Sequence, residues 1–149
     1  MHDFKRFPEL ANSQMDLYYF ESPHKQIVAD FRATVVKVHD GDTITLRTEF
    51  RDFDFPLRFL DTNAPELSEP GGLESKDWLK SKIEGLEVEI LIDPDQRVGK
   101  FGRLLGKVLS GGMNINEESI LTGKATTFEG RRESQLPDLN KELSMEQWF

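Results

Sequence analysis

Three short stretches of this chain hold residues able to work together on a phosphodiester: Asp40-Gly41-Asp42-Thr43, then Leu57-Arg58-Phe59-Leu60-Asp61-Thr62-Asn63-Ala64-Pro65-Glu66, then Lys100-Phe101-Gly102-Arg103. A phosphorus centre attacked by water gathers negative charge on its oxygens, and donors already in place stabilise that charge best. Arginine suits the role because its planar fork matches phosphate and stays charged. A carboxylate such as Glu66 suits the activation of water, a task typically worth about 10²- to 10⁴-fold in rate. The chain has no cysteine, which excludes disulfides, thiol nucleophiles and zinc-thiolate sites. Any metal is therefore held by oxygen or imidazole, and oxygen ligands point to a hard cation. The inventory fits metal-assisted hydrolysis of a phosphodiester. Taken singly, Asp40-Gly41-Asp42 is an ordinary turn, Arg58 and Arg103 are ordinary ion-pair partners, and Glu66 merely introduces a loop. Their joint occurrence at strand ends and turns is what singles them out. His2, His24 and His39 have no ligand-like spacing.

These residues need a scaffold, and the hydrophobic pattern supplies one. From Ile27 a β-rich run through Phe31, Ala33, Val35, Val36 and Val38 reaches the Asp-Gly turn, and Thr43-Ile44-Thr45-Leu46 follows as a second strand. Asp-Gly between two such runs is a strong hairpin signal. A third strand is predicted near Phe53 to Leu60, and an amphipathic helix through Leu73, Trp78, Leu79 and Ile83 ends at Gly85. Val88 to Ile92 forms a fourth strand halted by Asp93-Pro94, and Arg103 to Leu109 a fifth halted by Ser110-Gly111-Gly112. A short helix over Asn114 to Leu121, with Gly123 just past its end, completes the set. The expected class is α+β, mainly β: a five-stranded Greek-key barrel of the OB-fold type with two or three short helices. That domain is expected over residues 33–128. Residues 1–32, with Pro8, Pro23 and Tyr18-Tyr19-Phe20, show no sustained period, so they read either as an extension packed on the domain or on a second copy, or as a loose arm. Residues 129–149 form a polar tail ending in Trp148-Phe149.

A length of 149 residues suits one domain. No apolar run approaches a membrane span, and Met1 to Pro8 lacks a signal-peptide core. A soluble cytoplasmic protein with no membrane partner is the expectation, although a removed leader before secretion would leave no trace. The net charge of -8 argues against a protein that coats nucleic acid. Residues 93–132 are locally different, with seven Lys/Arg against five Asp/Glu, and they contain Lys100 and Arg103.

In their order and spacing the three motifs resemble the staphylococcal nuclease family, over roughly residues 33–128. Asp40 to Thr43 match an Asp-Gly-Asp-Thr hairpin. Arg58, four residues and Asn63-Ala64-Pro65-Glu66 match the family's arginine followed by Asp-Thr/Ala-Pro-Glu, and Lys100 to Arg103 match Lys-Tyr/Phe-Gly-Arg. The resemblance implies a Ca²⁺-dependent phosphodiesterase, with another divalent cation as an alternative, that cuts DNA and RNA to leave 3′-phosphates. It implies Asp42 as a calcium ligand, Asn63 in the place of a second aspartate ligand, and Ala64 offering its carbonyl. Glu66 would activate the water, Arg58 and Arg103 would bind phosphate oxygens, and Lys100 and Phe101 would contact the substrate, single-stranded DNA or RNA being favoured.

The chain departs from the family at Asn63, because an amide oxygen brings no charge to a calcium site. Asp61 would share a face with Asn63 if the strand persisted that far, and could then restore the carboxylate. A rival alignment matches Asp61-Thr62 to the family's Asp-Thr, but it needs an insertion. Phe101 lacks a tyrosine hydroxyl, and of the aromatic residues that stack on nucleotide in some members only Phe128 lies near. A different class of function is a barrel that binds nucleic acid or protein without cutting, as in the nuclease-like domains of Tudor-containing proteins. The chain is expected as a monomer, or as a homodimer through its N-terminal extension.

Overall fold

The computed structural model of the chain describes residues 6–18, 22, 24–99 and 102–127. Five strands make the barrel: β1 (Phe31–Asp40), β2 (Thr43–Arg47), β3 (Phe55–Phe59), then, after the two-residue β4 (Thr62–Asn63) and helix α2 (Gly72–Ile83), β5 (Glu87–Leu91) and β6 (Leu104–Ser110). Alternation within each strand sends Ala33 and Val35, Ile44 and Leu46, Phe55 and Leu57, Val88 and Ile90, and Leu104 and Val108 into one core. β1 is long enough to be shared, pairing with β5 through Phe31 to Thr34 and with β2 through Thr34 to Asp40. Two register irregularities in the β1–β2 ladder let β1 bend from one half of the barrel to the other. Antiparallel pairing links β2 to β3 and β5 to β6, and parallel pairing of β3 with β6 closes the ring. Closure removes the exposed edges that an open sheet would leave. Gly106 permits it, since a Cβ there would lie 2.8 Å from Ile90 and 3.2 Å from Leu57.

The Greek-key barrel expected from the hydrophobic pattern is the one observed, with three short helices among the described residues. α2 lies against β1 and buries Leu79 and Ile83; it stops at Glu84, before Gly85 in the left-handed region at φ 84°. Asn114, in the short hairpin strand β7 (Met113–Asn114), caps α3 (Ile115–Leu121) by accepting the Glu117 N–H at 3.1 Å. β8 (Thr126–Thr127) pairs with β4. Among the described residues no helix is long and apolar enough to cross a membrane.

The N-terminal residues 6–18 end in helix α1 (Asn12–Tyr18), and residues 7–12 lie on the barrel itself. The Glu9 carboxylate is fully buried against Arg51, both oxygens accepting from its fork at 2.8 and 2.9 Å. Arg51 also lies over the Phe55 ring, 4.5 Å from its centre. Arg97 holds the same segment from the other side, donating to Leu10 O and Asn12 Oδ1 at 3.1 and 2.8 Å and to Ile27 O. Burial lowers the Arg97 pKa from its ordinary value, while the Glu9 carboxylate acts in the opposite direction. Tyr19 and Phe20, the segment 128–149 with Phe128 and Trp148-Phe149, and His2 lie outside the described residues.

Candidate active site

The hairpin from β1 to β2 brings Asp42 to the mouth of the barrel, and the β2–β3 ladder sets Thr43 opposite Arg58. Gly41 makes the approach close: a Cβ at this position would collide with the Ser75 side chain of α2 and with Ala64. Asp42 is buried, and its Oδ2 accepts from the Ala64 N–H at 2.8 Å and faces Arg58 Nη2 at 3.3 Å. Its Oδ1 accepts from the Thr43 hydroxyl at 3.1 Å. Burial pushes the Asp42 carboxyl up to about 7; Arg58 opposes this, the adjacent Asp40 adds to it, and the Ala64 N–H pulls it back down.

Arg58 is buried too, and its fork is used within the protein. Nη1 donates to Phe59 O at 2.9 Å and Thr62 O at 2.6 Å, and Nη2 donates to Asn63 Oδ1 at 2.9 Å. The Asn63 amide oxygen thus accepts from this arginine. Asp42, Arg58, Asn63 and Ala64, singled out in the sequence, form one connected cluster. Its oxygens are all hard donors, but among the described residues no three carboxylate or imidazole side chains gather as a ready-made metal cage.

Arg103 stands immediately before β6, whose Leu105 pairs with Arg58 across β3 and β6. It is half-buried, and its Nε has no hydrogen-bond partner among the described residues. Glu66 lies three residues beyond Asn63 in the loop before α2, exposed at its carboxylate. Its backbone is held: the N–H donates to Glu69 Oε1 at 2.8 Å, and the carbonyl accepts the Glu69 N–H at 2.9 Å. Lys100 and Phe101 lie outside the described residues.

β3 ends at Phe59, so the strand does not persist to Asp61. Asp61 turns out of it with a φ of 54° and is exposed. It lines a cavity of about 370 Å³ together with Arg58, Asn63, Asp95, Gln96 and Leu105. Sequence reasoning missed Asp95 and Gln96, which reach the cavity from the β5–β6 connection, and no local motif marks them.

A sequence model of the family described as staphylococcal nuclease homologue matches residues 56–147. The chain belongs to the staphylococcal nuclease homologue family. The matched stretch spans Arg58, Asn63, Glu66 and Arg103 and begins after Asp42, which the β2–β3 ladder brings to the same cluster. A protein of Escherichia coli O157:H7 named as an uncharacterised endonuclease is 32% identical over 114 residues, covering 76% of this chain and 70% of that protein. A micrococcal nuclease of Shigella flexneri is 30% identical over 109 residues, covering 67% of this chain and 60% of that protein.

Proposed function

We propose that this protein is a metal-dependent endonuclease that hydrolyses single-stranded DNA or RNA and leaves 3′-phosphates. The observation that carries the reading is the junction of Asp42, Arg58 and Asn63 at one barrel mouth, with Arg103 just before the adjacent strand β6 and Glu66 in the loop beyond. The donor set fits a hard divalent cation: the Asp42 carboxylate, the Asn63 amide oxygen and the Ala64 carbonyl are all oxygen. Ca²⁺ bound there would polarise the phosphate and lower the pKa of an adjacent water. Glu66 takes the proton of the attacking water, and the P–O5′ bond breaks as the new P–O bond forms. The departing O5′ takes a proton from solvent. Arg103 donates to the equatorial oxygens as charge collects on them, and Arg58 joins it by giving up one of its internal acceptors. The relatives' names support hydrolysis of nucleic acid, and the family's general dependence on Ca²⁺ supports the choice of cation.

The direct test is cleavage of single-stranded DNA with and without Ca²⁺, followed by end analysis of the products. The pKa of Asp42 gives a second one. Because it is raised, the carboxyl is protonated below about pH 7, and a proton then competes with the metal. Ca²⁺ affinity measured by calorimetry should weaken about tenfold per pH unit below 7 and level off above it. An affinity independent of pH between 5 and 8 removes Asp42 from the ligand set.

A second reading is a nuclease-like module that binds without cutting. The neutral Asn63 and the internal engagement of the Arg58 fork favour it. Asn63→Asp separates the two. In an enzyme limited by its metal site, the second carboxylate should tighten Ca²⁺ about tenfold or more and raise cleavage at low Ca²⁺. In a module, cleavage stays absent in both proteins.

A further inference from the structure

We infer that the N-terminal segment 7–12 is a strap that sets the position of Arg103, with Pro8 and Glu9 as positioning residues for the reaction. The inference rests on the reading of Arg103 as a phosphate ligand. The turn that delivers Arg103 is closed at its base: Gly99 N–H donates to Arg103 O at 2.8 Å, Val98 bridges Leu104, and Gly102 N–H reaches Gly99 O at 3.3 Å. Gly99 and Gly102 give this turn a permissive backbone, with Gly102 at a φ of 68°. The Arg103 Nε has no partner to orient it among the described residues. The direction of this guanidinium therefore depends on where its backbone is held.

The strap adds a hold on that backbone from outside the turn. The Glu9 N–H donates to Gly102 O at 2.9 Å, and Pro8 packs so closely on Gly102 that a Cβ there would collide with it. Glu9 is itself fixed by its buried pair with Arg51. Arg97 fixes the next residues through Leu10 O and Asn12 Oδ1, and its own carbonyl accepts the Leu105 N–H at 2.8 Å. The strap is thus tied to the chain on both sides of Arg103, at Gly102 and through Arg97 at Leu105. Apolar packing would hold an arm on the barrel at least as stably as buried charges, whereas a bidentate pair fixes one geometry.

The test is a double-mutant cycle on the full chain with Pro8→Gly and Arg103→Ala, reading kcat and KM on single-stranded DNA at saturating Ca²⁺. Pro8→Gly keeps the Glu9 N–H and the Glu9–Arg51 pair, so the fold is retained. It should lower kcat about 10- to 100-fold, the size expected when a catalytic donor shifts by a fraction of an ångström to one ångström. In the Arg103→Ala background the same change should have no further effect, because the group it positions is gone. Equal losses in both backgrounds, or no loss in either, overturn the strap. If Arg103→Ala alone leaves kcat unchanged, the phosphate-ligand reading falls, and the strap falls with it. The Arg103 Nε–H resonance in NMR gives a readout independent of activity: it should shift or broaden in Pro8→Gly, and an unmoved signal also overturns the proposal.

Discussion

Replacing Glu66 with alanine should lower kcat on single-stranded DNA by about 10²- to 10⁴-fold, the range for loss of a positioned general base. Melting should hardly change. The carboxylate is exposed and makes no hydrogen bond or ion pair among the described residues, so truncation leaves nothing buried without a partner. Its backbone contacts with Glu69 do not involve the side chain and persist in the variant. Gly72, in the first turn of α2, packs so tightly on the Glu66 carbonyl that any Cβ would collide with it. An anchored backbone and an unengaged carboxylate are what a proton acceptor needs: fixed placement, and a head not already occupied. Glu66→Gln keeps the shape and removes the basicity, and should lose about as much activity as alanine. Cleavage that survives both changes would assign the water-activating step to another group.

The barrel was readable from sequence because its determinants are local and periodic. Ile44 and Leu46, or Val88 and Ile90, alternate within a few residues, and the Asp-Gly turn and the glycines at 85 and 123 punctuate the elements. The members of the candidate cluster were also readable, since Asp42, Arg58 and Asn63 stand in short motifs. How they are joined was not. Nothing in the motif foretells that Arg58 points its fork at Phe59 O, Thr62 O and Asn63, or that Asp61 leaves the strand in a left-handed conformation. The N-terminal strap was least legible. It is held by side-chain contacts such as Glu9 with Arg51 and Arg97 with Leu10, partners 42 and 87 residues apart, and such contacts leave no period in the sequence. Arg51 and Arg97 look like ordinary surface arginines until the fold buries them.

The two site arginines should fail in opposite ways. Arg103→Ala should lower kcat about 10²- to 10³-fold, the usual cost of one lost transition-state donor, with the fold intact. Nothing in the described structure depends on its guanidinium, whose Nε is already without a partner. Arg58→Ala should cost stability as well. It leaves the buried Asp42 facing no cation and removes the donor from the Thr62 and Phe59 carbonyls and from the Asn63 amide. Breaking such a buried pair typically costs about 3–5 kcal/mol. In a chain of this size that lowers the melting temperature by on the order of 10 °C. Lysine sharpens the contrast. At 103 it keeps a charge for the phosphate and should recover part of the activity, whereas at 58 an ammonium cannot reproduce the planar fork and stability should stay low. Calorimetric melting alongside single-turnover cleavage separates the two outcomes. If Arg103→Ala melts as early as Arg58→Ala, its guanidinium serves the fold, and the phosphate is held by other residues.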